Sequence, residues 1–365
     1  MNKKFLIFTG GTGGHVIPAV SFGNHLINNG FNCILLTDTR GKKFTNGFLG
    51  KIKLINASHL DGNIFFKILG LFKLLLGFFQ CILIIFIFRP KNTLSFGSYA
   101  SVPACFAVKI IKTLFNINFY IHEQNSIIGK SNLFFLKTAS KIFVNFDQNY
   151  EIEDRFHKKI SIVGLPSLNE SNLIKNLDFK KKYNKKFIFF IYGGSQGSIP
   201  LLKCFIKLID NINSRDLKKI FFVIQCPKQF SNEFSSRLKQ YDIKFIISEY
   251  FNNLPSLLTE VDLVLSRCGA GTINDIIEYK IPSILIPLPE AKDSHQFENA
   301  KYLTKINCGI MVDQYNFEIS KSLNFIKLIL KDNSLRNQIK NRLSNHLILK
   351  ANEIMLKIIS NEISK

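Results

Sequence analysis

The same short grammar occurs twice in this 365-residue chain, about half a chain apart. Residues 4–9 (KFLIFT) form an apolar run that stops at Gly10-Gly11-Thr12-Gly13-Gly14, followed by Pro18 and a helix-periodic stretch over 19–26. Residues 187–192 (FIFFIY) stop at Gly193-Gly194-Ser195-Gln196-Gly197, followed by Pro200 and a periodic stretch over 201–209. Each reads as strand, glycine turn and helix. An internal echo of this kind predicts two similar α/β domains that open in the same way. Further β-like runs lie at 32–36, 119–122 and 142–145 in the first half, and at 220–225, 245–247, 263–266 and 283–287 in the second. Helical patterns sit between them, as parallel strands require. Gly and Pro punctuate the chain at Val163-Gly164-Leu165-Pro166, which sets the expected domains at 1–164 and 165–342. The last helix, about 343–365, is expected to return to the first domain.

Neither glycine loop is a dinucleotide fingerprint. Gly11-Thr12-Gly13 begins as GxG, but Val16 stands where the third glycine belongs, and no Gly-Lys-Ser/Thr follows to make a P-loop. What remains is a pair of loops whose backbone N–H groups can approach a phosphate or a sugar at a helix start. His15 follows the first loop directly, where the positive end of the helix favours the neutral ring, a form able to accept a proton from a hydroxyl. Local hydrogen bonding is the plainer reading of the same residue. His122-Glu123-Gln124-Asn125 ends a β-like run. Four polar side chains at the carboxyl end of a strand mark the place where open α/β sheets bind ligands. Phe96-Gly97-Ser98-Tyr99-Ala100-Ser101 is another small-residue loop entering a helix. In the second half, Ser266-Arg267-Cys268-Gly269-Ala270-Gly271-Thr272 joins a strand to a helix carrying Asp275, and Lys292-Asp293-Ser294-His295-Gln296 follows Pro289. Taken singly each is an ordinary βα turn, and only their order along one domain is informative.

Several classes are excluded or weakened. The chain contains no Asp-x-Asp pair, HExxH or Cys/His cluster, so no metal and no cofactor is expected. Seven cysteines, odd in number and never spaced as CxxC, fit a reducing compartment rather than a disulfide framework. The N-terminus lacks the apolar run of a secretory peptide, and the expectation is cytoplasmic. A net charge of +22 predicts attraction to anionic surfaces, although heavy use of Lys, Asn, Ile and Phe also fits a codon bias. Lys is spread along the chain rather than interleaved with aromatics, so no nucleic-acid partner is expected.

The segment Ile64–Phe88 is very apolar, and its part from 74 to 88 carries no charge. Three readings stay open: a membrane-spanning helix, a buried core helix, and an interfacial patch. The division at Lys73 favours a basic amphipathic helix followed by a buried helix or strand. In the interfacial reading Phe65, Phe66, Leu71 and Phe72 dip into a bilayer while Lys67, Lys73 and Arg89 ring them.

Taken in order, GGTGGH (10–15), the Gly97-Ser98-Tyr99 loop, HEQN (122–125), GGSQG (193–197), SRCGAGT (266–272) and KDSHQFENA (292–300) resemble the MurG-type N-acetylglucosaminyltransferases over nearly the whole chain. The resemblance implies a GT-B fold, two Rossmann-like domains with the active site in the cleft between them. It also implies an inverting transfer of GlcNAc from UDP-GlcNAc to the C4 hydroxyl of lipid I, the undecaprenyl-pyrophosphoryl-MurNAc-pentapeptide, giving lipid II. By the same carry-over Thr12, Gly13, Gly14, Asn125, Ser195, Phe251, Ala270, Gly271, Thr272, Asp275 and Gln296 bind the donor. His15, Tyr99 and Glu123 face the acceptor, and His15 is the candidate base. The enzyme would sit peripherally on the cytoplasmic face of the inner membrane, against anionic inner-leaflet phospholipids. Two positions depart from the family pattern: Asp275 replaces the usual ribose-binding Glu, and Leu168 replaces an Arg. The alternatives are another GT-B UDP-sugar:glycolipid transferase and a non-catalytic membrane-associated scaffold.

Overall fold

The computed structural model describes residues 3–58, 63–167, 186–194, 197–251, 253–291, 294–345 and 350–363. The chain divides into two compact units, Met1–Ser171 with Leu349–Lys365, and Asn172–Ile348.

The first unit is built on β1 (Lys4–Phe8), β2 (Asn32–Thr37), β3 (Lys51–Leu54), β4 (Asn92–Ser95), β5 (Asn118–Glu123), β6 (Lys141–Val144) and β7 (Ile160–Ile162). All neighbours are parallel, in the order β3-β2-β1-β4-β5-β6-β7. Its helices are α1 (Gly13–Asn28), α2 (Ile64–Phe88), α3 (Val102–Phe115), α4 (Lys130–Phe135) and α5 (Asp154–His157). Alternation along the strands divides the core between the sheet's two faces. Leu6, Phe8, Ile34 and Leu36 join one apolar cluster, whereas Phe5, Ile7, Cys33 and Leu35 join the other.

The second unit carries β8 (Phe187–Tyr192), β9 (Ile220–Gln225), β10 (Lys244–Ser248), β11 (Leu263–Ser266), β12 (Ser283–Leu285) and β13 (Gly309–Met311), in the parallel order β10-β9-β8-β11-β12-β13. Its helices are α6 (Ile199–Ile209), α7 (Ser214–Leu217), α8 (Ser231–Leu238), α9 (Leu254–Leu258), α10 (Ala270–Glu278), α11 (His295–Lys305), α12 (Ile319–Lys331) and α13 (Asn333–Ser344). The final helix, α14 (Ala351–Ile363), belongs to the first unit. Its Met355 and Ile359 enter the cluster around Phe5 and Phe22. Asn352 donates to Ser21 Oγ at 3.0 Å, and Ser21 donates to the Ser167 carbonyl at 2.6 Å. Of the stretch expected to return to the first domain, residues 343–345 lie with the second unit, where Leu343 is a buried residue of α13.

The expected division of the apolar segment at Lys73 does not occur. Ile64–Phe88 is one uninterrupted helix of 25 residues, capped at its start by Asn63 Oδ1, which accepts from Phe66 N–H. Glycines account for its seat on the domain: a Cβ at Gly77 would lie 1.9 Å from the Asn56 carbonyl oxygen, so only glycine admits the β3–α2 connection there. Nor is α2 a buried core helix. Gly70, Gly77, Cys81, Ile84 and Ile85 are its buried residues, and 22% of its most apolar window is buried. Phe65, Phe66, Leu71 and Phe72 are all more than half exposed, and Lys67 and Lys73 are exposed beside them. By length and composition alone α2 is apolar enough to cross a bilayer. Its C-terminal half instead packs Cys81, Ile84 and Ile85 into the core beside Cys105 and Val108 of α3. On α3 the exposed side chains include Ile110 and Leu114.

Candidate active site

In an open parallel sheet, ligands bind beyond the carboxyl ends of the strands, where the strand order reverses direction. That point lies between β1 and β4 in the first unit and between β8 and β11 in the second. The glycine turns leave β1 and β8. The Phe96–Ser101 and Arg267–Gly269 loops leave β4 and β11. Four of the loops singled out in the sequence therefore flank a switch point, whereas His122–Asn125 lies at the end of β5, one strand further along the first sheet.

In the first unit Gly10 is held so closely that a Cβ would lie 2.4 Å from Ala100 Cβ and 2.7 Å from Asp38 Oδ1. Gly11 adopts a left-handed φ of 77° and donates its N–H to Asp38 Oδ1 at 2.9 Å. The same oxygen accepts from Gly41 N–H at 2.9 Å, and Arg40 Nε donates to Oδ2 at 2.8 Å. Burial pushes the Asp38 carboxyl up, but the Gly11, Arg40 and Gly41 hydrogen bonds and the Arg40 charge outweigh it and leave its pKa lowered. Helix α1 then starts with Thr12 as N-cap, without a side-chain capping bond, so Gly13 and Gly14 begin the helix with N–H groups that no capping side chain takes up. Gly97 and Ser98 follow one another at φ 75° on the opposite loop. They lead into the Tyr99–Ser101 turn, which places Tyr99 at the start of the approach to α3.

His15, half-buried on the first turn of α1, has Nδ1 at 2.9 Å from the Phe96 carbonyl and 3.0 Å from Gln124 Oε1. His122 is fully buried, stacked on the Phe96 ring at 5.0 Å, with Nε2 at 3.0 Å from the Gly164 carbonyl. Burial lowers its pKa to about 4; the Gly164 hydrogen bond opposes the shift and His15 adds to it. Glu123 is also buried, and its carboxylate organises the loop that follows. Oε1 accepts from Asn125 N–H at 3.0 Å and Asn125 Nδ2 at 3.1 Å, while Oε2 accepts from Gly129 N–H at 3.0 Å and Asn132 Nδ2 at 2.8 Å. Through these bonds Glu123 fixes the position of Asn125.

In the second unit Gly193 donates its N–H to Gln225 Oε1 at 3.0 Å. A Cβ there would lie 2.5 Å from Ser198 N, whereas Gly194 at φ 82° faces open space. Ser195 and Gln196, like Leu168, Lys292 and Asp293, lie outside the described residues. Helix α10 starts from an unassisted Gly269 cap. A Cβ at Gly269 or Gly271 would meet nothing, while Ala270 and Thr272 turn inward and are buried. Two side chains one turn apart on α11 grip one residue of this loop. Gln296 Oε1 accepts from Cys268 N–H at 3.2 Å and Leu288 N–H at 3.0 Å, and Asn299 Nδ2 donates to the Cys268 carbonyl at 3.0 Å. Phe251, just past β10, packs edge-on against Phe190 at 5.5 Å. Burial pushes the Asp275 carboxyl up to about 8, and Glu278 adds to the shift.

Three residues of these loops were not read from sequence as functional. Asp38 and Gln225 steer the glycine turns. Arg267, buried, donates to Ser198 Oγ at 3.1 Å, to the Ile286 and Pro287 carbonyls at 3.1 and 3.2 Å, and to Gln314 Oε1. All four partners are neutral, and the Ser198 bond sets this buried guanidinium at the start of α6.

The fold and these paired turns define a glycosyltransferase of the GT-B class. Solved structures with the same fold include Acinetobacter baumannii MurG (TM-score 0.77, 20% identity, 98% of this chain and 99% of that one) and the calicheamicin glycosyltransferase CalG4 (TM-score 0.71, 10% identity, 100% and 99%). Residues 5–144 match the glycosyltransferase family 28 N-terminal domain, and residues 188–355 match its C-terminal domain. The chain is 31% identical to the UDP-N-acetylglucosamine–N-acetylmuramyl-(pentapeptide) pyrophosphoryl-undecaprenol N-acetylglucosamine transferase of Rickettsia rickettsii, over 95% of this chain and 98% of that protein. It is 30% identical to the Rickettsia canadensis protein of that name, over 100% and 99%. The chain belongs to this family of N-acetylglucosaminyltransferases.

Proposed function

We propose that the chain moves GlcNAc from UDP-GlcNAc to the C4 hydroxyl of the MurNAc-pentapeptide of lipid I, making lipid II for peptidoglycan. One observation carries the reading: each unit of a chain related to these transferases from end to end presents a helix start with no capping side chain at its switch point. Backbone donors and helix dipoles of that kind stabilise a departing diphosphate, so the reaction proceeds without a divalent ion. The acceptor oxygen attacks the anomeric carbon, the bond to UDP breaks with inversion, and His15 takes the hydroxyl proton. Asn125, Ser195, Phe251, Ala270–Thr272, Asp275 and Gln296 serve the donor, and Tyr99 serves the acceptor.

The same reading places the enzyme on the cytoplasmic face of the inner membrane. The exposed face of α2 supplies the apolar contact, with Lys67 and Lys73 reaching anionic head groups. Transfer of radiolabelled GlcNAc to lipid I, run with and without chelator and against sterol and diacylglycerol acceptors, tests the proposal. Product only with lipid I, unchanged by chelator, is the expected result. Transfer to another glycolipid acceptor, or no UDP-GlcNAc binding at all, would overturn it.

A further inference from the structure

Gln124 has its amide fixed by two carbonyls: Nε2 donates to the Phe96 oxygen at 2.9 Å and lies 3.4 Å from the His122 oxygen. Turning the amide over would set Oε1 against both, acceptor facing acceptor. The orientation is therefore determined, and Oε1 is left pointing at His15 Nδ1, 3.0 Å away. The Phe96 oxygen, 2.9 Å from the same nitrogen, is also an acceptor. A ring nitrogen between two acceptors must carry a proton.

We infer that Gln124, with the Phe96 carbonyl, is a positioning residue that holds His15 in the Nδ1–H tautomer and leaves the Nε2 lone pair as the proton-accepting atom. This deepens the proposed function and rests on its reading of His15 as the base. In the transfer step the C4 hydroxyl proton moves to Nε2 as the oxygen forms its bond to the anomeric carbon, and the electron pair of the breaking bond leaves on UDP. The resulting imidazolium keeps Nδ1–H donated to two oxygens and later releases the Nε2 proton to solvent. Orientation of a base by a fixed acceptor on its far nitrogen is a general device of acid–base catalysis. Here the acceptors are an amide and a carbonyl, so the ring is oriented without an ion pair.

A second ring supplies an internal reference. His122 Nε2 faces the Gly164 carbonyl, which requires Nε2–H, the opposite tautomer. In the full-length protein labelled with 15N-histidine, long-range 1H–15N correlation at alkaline pH reads both rings directly. His15→Asn, which keeps an amide donor but has no base nitrogen, identifies the His15 signals. The expected result is a neutral His15 protonated at Nδ1 beside a His122 protonated at Nε2. His15 protonated at Nε2, or averaged between the two forms, would overturn the inference. In Gln124→Met the expected outcome is tautomer averaging at His15 and a fall in kcat of roughly tenfold or more, with KM for UDP-GlcNAc within about twofold. An unchanged kcat in that variant overturns the positioning role. If His15→Asn keeps its kcat while the wild-type ring is Nδ1–H, the base assignment fails and the tautomer assignment stands. If His15→Asn abolishes turnover but the wild-type ring is Nε2–H, the reverse holds.

Discussion

Asp38 and Gln225 hold the same place in their respective units. Each lies at the carboxyl end of the strand beside the one that carries the glycine turn, and each accepts a turn N–H: Gly11 at 2.9 Å and Gly193 at 3.0 Å. The turns are thus held in shape by the sheet itself, before any ligand arrives. In a site that works through oriented backbone donors, such preorganisation is where catalytic energy resides. The two acceptors differ in one respect: Asp38 carries a charge.

Removing these acceptors should slow transfer without disturbing the strands. Asp38→Ala leaves the Gly11 and Gly41 N–H groups without their acceptor, a loss of about 1–3 kcal/mol for bonds to a charged group. We expect kcat/KM to fall by roughly 10- to 100-fold, and Gln225→Ala to fall by less. Asp38 also sets a pH dependence. Its pKa is lowered in the folded chain, so its contribution is complete above the unfolded carboxylate value and is lost as pH falls through the folded one. Thermal unfolding of Asp38→Asn below about pH 4 should therefore show a shallower acid limb than wild type. An identical limb would remove Asp38 from that role.

His122 makes a separate prediction. Its pKa falls from 6.5 to about 4 on burial, so the unfolded chain binds a proton that the folded chain refuses between those values. Stability is then greatest above the unfolded pKa and declines as pH drops toward the folded one, by up to about 3 kcal/mol. Melting temperatures of wild type and His122→Gln, recorded from pH 7.5 down to pH 4.5, should converge as pH falls. Parallel curves would show that another group controls the slope.

Much of this was legible in the chain, and what was missed has a physical cause. Both glycine turns were read because the apolar runs before them and the periodic stretches after them are local signals. Asp38 was not, because its importance depends on β2 lying beside β1, a fact of sheet order. β4, spelled Asn-Thr-Leu-Ser, shows no apolar run, yet all four residues are buried. Nor did β3, β7 and β13, each four residues or fewer, offer a run long enough to read. At α2 the change in charge at Lys73 read as a change of element. The actual constraint is Gly77, where the Asn56 carbonyl comes too close for any side chain.

Asp275 offers a test of the donor site. Burial, with help from Glu278, raises its carboxyl to about 8, so in the free chain it is largely protonated at pH 7. A ribose diol donating to this group favours the ionised form, and binding should therefore tighten as pH rises through about 8. Calorimetric titration with UDP across pH 6.5–9 should show this gain, and Asp275→Asn should abolish it. Asp275→Ala should weaken UDP by roughly tenfold or more, whereas Asp275→Glu, with the longer reach, should preserve binding. A wild-type affinity that is flat with pH would separate the carboxylate from the ribose.

The exposed face of α2 makes the last prediction, in which apolar and charged contributions separate. Full burial of a Phe side chain in an apolar phase is worth about 1.5–3 kcal/mol, and each Lys near an anionic surface about 1 kcal/mol. Phe65 and Phe72 are 67% and 57% exposed, so both have most of that gain still to make. Phe65→Ser/Phe72→Ser should weaken binding to vesicles by at least about tenfold, whether or not the vesicles contain phosphatidylglycerol. Lys67→Glu/Lys73→Glu should weaken binding only where anionic lipid is present, and added salt should shrink the difference. The substituted side chains are solvent-exposed, so melting temperatures should hold within about 2 °C. Transfer to a soluble lipid I analogue should survive in both double variants while transfer to vesicle-embedded lipid I falls. If cosedimentation with vesicles is unchanged in the Phe variant, α2 is not the membrane contact.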